Sequence, residues 1–336
     1  DIKVVYTPLH GTGNIPARRI LKEIGFENVY VVPEQELPDG EFPTVSYPNP
    51  EAAEAFELAL KLAKEKDADI VLATDPDADR LGVYAKDTKS GEYVSFTGNM
   101  SGMLIAEYIM KERKAAGTMP KNPAFIETIV STNMGKVIAK DYDVDVIEVL
   151  TGFKYIGEQI RLFEENQTYH YIFGLEESYG CLAGTYARDK DAIVASMLLC
   201  EMACYYSGKG LTLYEVMQEM FKKYGFFKEE VVSIQFSGFD ANEKMAVVMK
   251  DLRANPPAEI GFKIDRIRDY DSGEILDVAS GNVSSTGLPP SNMLFYELAD
   301  GSNAIVRPSG TEPKVKLYIM AQGANEEASD NALEAI

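Results

Sequence analysis

The sequence contains few residues of several chemically active kinds. Among its 336 residues are two histidines, three cysteines and no tryptophan. The histidines, His10 and His170, are too few for a histidine-rich zinc site and leave little material for a Ser-His-Asp triad. Three cysteines make no disulfide framework, which favours a reducing compartment, and we therefore expect a cytoplasmic protein. No apolar run reaches the roughly 18 residues that a membrane-spanning helix requires.

Positive charge is also scarce. Lys and Arg number 33 against 53 Asp and Glu, so the net charge is −20. This balance disfavours nonspecific binding to nucleic acid or to an anionic membrane, and we expect neither as a partner. It leaves room for a small anionic ligand, because a local group of cations can hold a phosphate on an acidic protein. The remaining composition, 46% hydrophobic and 26% charged, is that of an ordinary globular protein.

Strand and helix patterns alternate along the first two thirds of the chain. The apolar run Asp69–Ala73 is typical of a buried parallel strand, and Glu51–Glu65 has the spacing of an amphipathic helix. Leu81–Ala85 and Tyr93–Thr97 predict the two strands of a hairpin. This alternation indicates an α/β fold class.

The length and these patterns predict three domains. Two consecutive α/β domains with mixed or parallel sheets are expected at residues 1–97 and 98–225, followed by a smaller α+β domain at residues 226–336. Within the second domain, Cys200 and Cys204 lie four residues apart in a predicted helix. We expect both cysteines to be small core residues.

Three aspartates alternate directly after the predicted buried strand, in the run Asp75-Pro-Asp-Ala-Asp-Arg80. In a loop, this spacing can turn Asp75, Asp77 and Asp79 toward one point. Clustered carboxylates suit Mg²⁺, which prefers hard oxygen ligands and keeps positions open for water or phosphate. The carboxyl end of a central strand is also where open α/β sheets bind ligands. The loop therefore predicts a magnesium site, with Arg80 in line with a bound phosphate.

The acidic loop has other interpretations. An EF-hand would need Gly and Glu at the positions where Arg80 and Lys86 stand. An aspartyl phosphatase would have a hydroxyl residue in the place of Asp79. A solvated acidic turn built around Pro76 is about as common as a metal site for this pattern.

A second loop, near the C-terminus, concentrates hydrogen-bond donors. Arg307 offers a bidentate fork, Ser309 and Thr311 offer hydroxyls, and the turn at Gly310 exposes backbone N–H groups. Lys314 adds positive charge on an acidic chain. These features predict a phosphate-binding loop, the alternative being a hairpin turn with capping hydroxyls.

Two further loops and a glycine turn contain candidates. Glu176 and Ser178 follow a predicted strand, and a carboxylate can accept hydrogen bonds from neighbouring sugar hydroxyls. Lys154 stands at a predicted helix start, where N–H groups and an ammonium can meet a phosphate. In isolation, the loop of Glu176 and Ser178 is more often an ordinary polar loop before a helix. For Lys154, a threonine cap with a surface lysine is equally common. His10 precedes a glycine turn that lacks the last glycine of a dinucleotide fingerprint, because Pro16 stands there.

In this order the loops resemble those of one family, the α-D-phosphohexomutases, which are the phosphoglucomutase/phosphomannomutase enzymes. The resemblance covers essentially the whole chain and implies an isomerase of carbohydrate metabolism. It implies that a phosphoserine gives its phosphoryl group to a hexose phosphate and that a hexose 1,6-bisphosphate forms as an intermediate. The four runs that are similar to the metal, substrate, sugar and phosphate loops of the family are Asp75-Pro-Asp-Ala-Asp-Arg80, Thr151-Gly-Phe-Lys154, Gly174-Leu-Glu-Glu-Ser-Tyr179 and Arg307-Pro-Ser-Gly-Thr-Glu-Pro313.

The resemblance also implies roles around the metal. Asp75, Asp77 and Asp79 would hold Mg²⁺, whose charge would offset that of the transferring phosphoryl group. Arg80 would face the phosphoserine. Lys154 would contact the substrate or transfer a proton.

The resemblance implies further roles in substrate binding. Glu176 and Ser178 would bind the sugar hydroxyls. His10 is a second, weaker candidate for catalysis. The phosphate that does not react would be bound by Arg307, Ser309, Gly310 and Thr311.

The serine loop of the family does not occur in the sequence, which begins at Asp1 in a strand-like run. We therefore expect that the chain supplies the last three of four domains and is inactive alone. Many relatives have a histidine two residues after the serine of the sugar loop, whereas Tyr179 and Gly180 follow Ser178 here. The sugar is thus open: glucose phosphates are the first hypothesis, mannose or pentose phosphates the second, and a noncatalytic sugar-phosphate-binding module the third.

Overall fold

Two compact units make up the described part of the chain, residues 2–310 and 312–336 of the computed structural model. The first unit comprises the residues up to 131 together with 135–220, and the second comprises 132–134 and 221–336. Within the described residues, no helix is both long and apolar enough to cross a membrane.

The chain up to residue 224 contains two sheets with helices beside them. Its strands are β1 (Val4–Thr7), β2 (Val29–Val31), β3 (Ile70–Thr74), β4 (Leu81–Lys86), β5 (Tyr93–Phe96), β6 (Pro123–Thr128), β7 (Asp145–Val149), β8 (His170–Glu176) and β9 (Gly180–Leu182). Its helices are α1 (Asn14–Glu23), α2 (Glu57–Lys66), α3 (Gly98–Ala116), α4 (Met134–Asp141), α5 (Phe153–Asn166), α6 (Ala192–Ser207) and α7 (Leu213–Tyr224).

The first sheet has the strand order β2-β1-β3-β4-β5. Strands β2, β1 and β3 run parallel, while β4 and β5 form the predicted antiparallel hairpin at its edge. All residues of β1 and β3 are buried, as their continuous apolar runs predict for strands covered on both faces. Strand β3 ends at Thr74, so the acidic loop begins at the carboxyl end of a central strand.

The second sheet has the order β7-β6-β8-β9, with the first three strands parallel and β9 antiparallel. Ile156 and Ile160 of α5 pack against Ala124 and Ile126 of β6. Strand β8 ends at Glu176, so the candidate sugar loop also follows a carboxyl end. The predicted α/β class with mixed or parallel sheets is confirmed.

Two local predictions are wrong. The helix expected over Glu51–Glu65 starts late, because Ala52 is extended and a 3₁₀ turn at Ala53–Phe56 precedes α2. Cys200 is buried in α6 as expected, whereas Cys204 is exposed. The spacing of four places both cysteines on neighbouring turns, but it does not decide which of them faces the core.

The second unit has the α+β class predicted for the end of the chain, with an antiparallel sheet in the order β10-β17-β16-β15-β12-β13-β14 and β11 beside β12. Met249, in the helix Ala241–Ala254, packs against Ile264, Leu294 and Tyr296 of the sheet. Its elements are β10 (Phe226–Gln235), α8 (Ala241–Ala254), β11 (Glu259–Ile260), β12 (Phe262–Asp269), β13 (Glu274–Asp277), β14 (Val283–Ser285), β15 (Leu294–Leu298), β16 (Asn303–Pro308), β17 (Lys314–Gly323) and α9 (Glu326–Ala335).

Candidate functional site

The acidic loop after β3 gathers its three carboxylates. Oxygen atoms of Asp75, Asp77 and Asp79 all lie within 4.8 Å of one another. The turn is closed by Asp75, whose Oδ1 accepts the backbone N–H groups of Asp79 at 3.0 Å and Arg80 at 2.9 Å. Ala78 takes a left-handed conformation, with φ of 59°, which allows this tight turn. The structure thus brings together the three predicted metal ligands.

The electrostatics of the loop fit a cation. Burial first, and then the charges of Asp79 and Asp77, raise the pKa of Asp75 to about 7, although the N–H of Arg80 acts to lower it. Asp79 Oδ1 is buried and accepts no hydrogen bond from the described residues. A buried carboxylate oxygen that accepts no hydrogen bond is costly, and a divalent cation would satisfy it. Hard oxygen ligands of this kind suit Mg²⁺.

The glycine turn after β1, at residues 11–13, packs against the acidic loop. Thr12 donates its backbone N–H to Pro76 O at 2.8 Å, and its hydroxyl lies 3.0 Å from the same oxygen. A Cβ on Gly11 would stand 2.3 Å from Pro76 Cα, and one on Gly13 would stand 3.2 Å from Ala78 Cβ. A side chain on Gly11 would therefore collide with the acidic loop, and one on Gly13 would press against Ala78.

Arg80 joins the acidic loop to its neighbours. Its Nη1 lies 3.4 Å from Glu51 Oε1, and its Nε lies 3.8 Å from carboxylate oxygens of both Asp75 and Asp79. Its backbone forms an isolated antiparallel bridge with Gly180. The guanidinium therefore lies beside the predicted metal ligands.

The candidate sugar loop meets the acidic loop within the same unit. Leu81 donates its backbone N–H to Tyr179 O at 2.9 Å, next to the bridge between Arg80 and Gly180. Glu176 is buried at the end of β8. Burial raises the pKa of Glu176, while the charge of Lys190 and the backbone N–H of Gly152 act to lower it. A buried carboxylate acceptor and the acidic loop are thus brought together.

Lys190 is a site residue that the sequence analysis missed. Its Nζ lies 2.9 Å from Asp79 Oδ2, 3.2 Å from Asp189 Oδ1 and 3.9 Å from Glu176 Oε2, linking the acidic loop to the sugar loop. A Cβ on Gly180 would stand 2.0 Å from Lys190 Cδ, so the lysine crosses directly over this glycine. The signal in the sequence was the charged run Arg188-Asp-Lys-Asp191 before a helix, but nothing in it points to Asp79.

The loop before α5 contributes through its backbone. Gly152, with φ of 122°, donates its N–H to the carboxylate of Glu176. Phe153 is buried under Lys190, whose Nζ lies 5.7 Å from the ring centroid. Lys154 is exposed, and its Nζ lies 4.9 Å from the ring centroid of Tyr155. Its role in catalysis stays a prediction.

Two other candidates are placed on turns. Ser178 is half-buried in the turn between β8 and β9, beside Tyr179 with φ of 67°. His10 is 5% exposed, and its Nδ1 and Nε2 lie 3.2 Å from Leu37 O and 2.9 Å from Thr44 Oγ. Both ring nitrogens of His10 therefore have partners within the fold.

The candidate phosphate loop lies in the second unit, between β16 and β17. Arg307 is half-buried and pairs in register with Lys316. Ser309 donates its N–H to Lys314 O at 2.8 Å, and its Oγ accepts the N–H of Glu312 at 3.3 Å.

The structure also limits two expectations about this loop. The ammonium of Lys314 pairs with Glu312, so its charge is offset within the loop. Gly310 is exposed at the tip, and Thr311 lies outside the described residues.

Two family models match the chain. The phosphoglucomutase/phosphomannomutase alpha/beta/alpha domain II matches residues 1–90, and domain III matches residues 97–224. The phosphoglucomutase of Staphylococcus epidermidis is 37% identical over 320 residues, which cover 95% of this chain and 57% of that protein. The chain belongs to the α-D-phosphohexomutase family. It spans little more than half the length of the curated relatives that it matches.

Solved structures of phosphohexomutases share the fold. The phosphoglucomutase parafusin from Paramecium, in its open form, superimposes with a TM-score of 0.69 at 19% identity, covering 99% of this chain and 56% of that one. An N-acetylphosphoglucosamine mutase from Aspergillus fumigatus superimposes with a TM-score of 0.54 at 15% identity, covering 100% and 60%. The Aspergillus enzyme has been crystallised with GlcNAc-6P and magnesium, and in an S-to-A variant with glucose 1,6-bisphosphate.

Proposed function

We propose that the protein is a Mg²⁺-dependent phosphohexomutase that interconverts hexose 1-phosphate and hexose 6-phosphate, with glucose as the preferred sugar. The observation that carries the proposal is the convergence of Asp75, Asp77 and Asp79 within one unit with the buried acceptor Glu176. The curated relatives named phosphoglucomutase support the choice of glucose.

The acidic loop supplies the cation site of this reaction. Bound Mg²⁺ offsets the negative charge that builds up on a transferring phosphoryl group. Asp75, Asp77 and Asp79 would hold it through one oxygen each. Arg80, fixed between Glu51 and the aspartates, presents its guanidinium to the phosphoryl oxygens.

The sugar loop supplies orientation. Glu176 is held by Gly152 and Lys190, so its free lone pairs keep one direction and can accept from two adjacent sugar hydroxyls. Ser178 adds a hydroxyl on the same turn. Lys190, linked to both loops, is placed to meet a sugar phosphate as it enters.

The loop after β16 binds the phosphate group that is not transferred. Arg307 offers a bidentate fork, and Ser309 and Gly310 offer hydroxyl and backbone donors. Thr311 is assigned to the same group on its sequence position. We assign Lys154 to substrate contact, because it is exposed two residues after the helix-capping Gly152.

The wider assignments are proposals of the same kind. A phosphoserine as donor and hexose 1,6-bisphosphate as intermediate agree with the glucose 1,6-bisphosphate complex of the Aspergillus enzyme. We also propose domain limits at residues 1–97, 98–225 and 226–336. The three free cysteines support a cytoplasmic location.

The test is a ³¹P NMR assay of the complete gene product with Mg²⁺, a trace of glucose 1,6-bisphosphate and glucose 1-phosphate. We expect conversion to glucose 6-phosphate and slower conversion of mannose and ribose phosphates. Faster turnover of mannose or pentose phosphates would change the sugar, and binding without any turnover would indicate a noncatalytic module.

A further inference from the structure

A chain of side-chain hydrogen bonds holds the turn after β1. At one end, Leu9 donates its backbone N–H to Thr7 Oγ at 3.1 Å. Thr7 Oγ lies 2.6 Å from Gln35 Oε1, and Gln35 Nε2 lies 3.1 Å from Thr44 Oγ. Thr7 is fully buried and Gln35 is 1% exposed, so the bonds at Thr7 are shielded from water.

His10 closes the chain at its other end. Its Nε2 lies 2.9 Å from Thr44 Oγ, and its Nδ1 lies 3.2 Å from the backbone oxygen of Leu37. The ring is buried with its edge toward Phe42, at a centroid distance of 6.5 Å. Each ring nitrogen therefore has a hydrogen-bond partner, a backbone carbonyl for Nδ1 and a hydroxyl for Nε2.

For a neutral imidazole, one direction of the bonds satisfies every group between the two ends. The N–H of Leu9 can only donate, so the hydroxyl of Thr7 has its own hydrogen left for Gln35 Oε1. The Gln35 amide then donates to Thr44, whose hydrogen is left for His10 Nε2. The carbonyl of Leu37 can only accept, which places the imidazole proton on Nδ1. Reversing the chain would set the Nδ1 lone pair against that carbonyl.

The turn held in this way is the one that supports the acidic loop. Leu9 and His10 both have left-handed backbones, with φ of 46° and 59°, which persist only where surrounding contacts impose them. The backbone of His10 is clamped to Gln35 O at 3.0 Å. The next two residues, Gly11 and Thr12, lie against Pro76 in the acidic loop.

We propose that His10 is a positioning residue, protonated on Nδ1 and accepting from Thr44 at Nε2. Through this ordered chain, Thr44, Gln35 and Thr7 hold the glycine turn on which the acidic loop rests. The role in metal binding depends on the cation site of the proposed function. The tautomer and the rigidity of the turn do not depend on it.

The test is NMR on residues 1–336 with ¹⁵N-labelled histidine and backbone amides. With only His10 and His170 in the chain, the variant His170→Asn assigns the two rings. We expect the His10 proton on Nδ1. In Thr44→Val, which keeps the shape and removes the hydroxyl, we expect the Thr12 amide to exchange at least several-fold faster and Mn²⁺ binding to weaken several-fold.

Two controls belong to this experiment. Thr44→Ser retains the hydroxyl and should match the wild type, as should Thr118→Val, which removes a distant exposed hydroxyl. A proton on His10 Nε2, or wild-type exchange of Thr12 in Thr44→Val, would overturn the inference. If the wild type binds no Mn²⁺, the cation site of the proposed function fails, while the tautomer and the exchange rates still decide the positioning role.

Discussion

The ammonium of Lys190 lies beside the carboxylates of the proposed cation site. Burial would lower the pKa of Lys190, but the hydrogen bond to Asp79 and the charge of that carboxylate outweigh it and raise the pKa. Lys190 therefore stays charged and partly neutralises the loop. One oxygen of Asp79 faces Lys190 and the other accepts no hydrogen bond, which leaves a place for Mg²⁺.

Asp77 is the exposed member of the three carboxylates, so its replacement tests the metal site with little effect on folding. Asp77→Asn should weaken Mg²⁺ binding by about tenfold or more, because one anionic ligand is lost. Isothermal titration of residues 1–336 measures this effect. Asp145→Asn, an exposed change in the same unit, is the control, and equal affinity in both variants would remove the acidic loop as the site.

Asp75 gives the protein a pH dependence of known sign. Its folded-state pKa of about 7 exceeds the ordinary value of about 4, so the folded state binds more protons between these values. Without metal, the contribution of Asp75 to stability is lost as pH rises from about 4 to 7. We expect Asp75→Asn to be more stable than the wild type in urea at pH 8, with the difference closing toward pH 4. A constant difference across that range would contradict the raised pKa.

Among the elements, the side chain of Lys190 crosses Gly180 of β9 so closely that an added Cβ would stand 2.0 Å from Lys190 Cδ. Gly180→Ala should lower the free energy of unfolding by about 1–3 kcal/mol, because the lysine must move to admit a methyl group. Urea denaturation measures the loss. Gly40→Ala is the matched control, since its Cβ would meet no atom within 4 Å, and a similar result for both variants would argue against the crossing.

The elements also show where sequence reasoning succeeds. The apolar run at Asp69–Ala73 predicts β3, and with it the position of the acidic loop, because a continuous buried run has few alternatives. The start of α2 was placed too early, because a 3₁₀ turn precedes the helix. The strands β13 and β14 were not predicted, since segments of three or four residues carry little periodicity. Lys190 was missed because its partners Asp79 and Glu176 are distant in sequence, and only the fold brings them near.

At the scale of the molecule, the phosphate loop belongs to a different unit from the acidic loop. Arg307→Ala should raise KM for the sugar phosphate about tenfold, equivalent to ~1.4 kcal/mol, with a smaller change in kcat, because it removes a bidentate contact to the unreactive phosphate. Steady-state kinetics of the complete gene product tests this. Lys263→Ala, an exposed cation on the same sheet, is the control, and an unchanged KM in Arg307→Ala would place the phosphate elsewhere.

The net charge of −20 is compatible with an anionic ligand, because a local group of cations can outweigh it. Under the proposed function, the cations assigned to the anionic groups of the ligand are Arg80 and Lys190 in the first unit and Arg307 in the second. Sequence motifs identified Arg80 and Arg307 because each stands inside a loop of recognisable spacing. The domain limits at residues 98 and 226 stay predictions, since composition changes gradually there.

The cation site can be tested most directly by an anomalous difference map from crystals of residues 1–336 soaked in Mn²⁺. We expect one strong peak bounded by oxygens of Asp75, Asp77 and Asp79, with Asp79 Oδ1 among the ligands. A map with no peak at this loop, or with manganese bound only at other carboxylates, would contradict it.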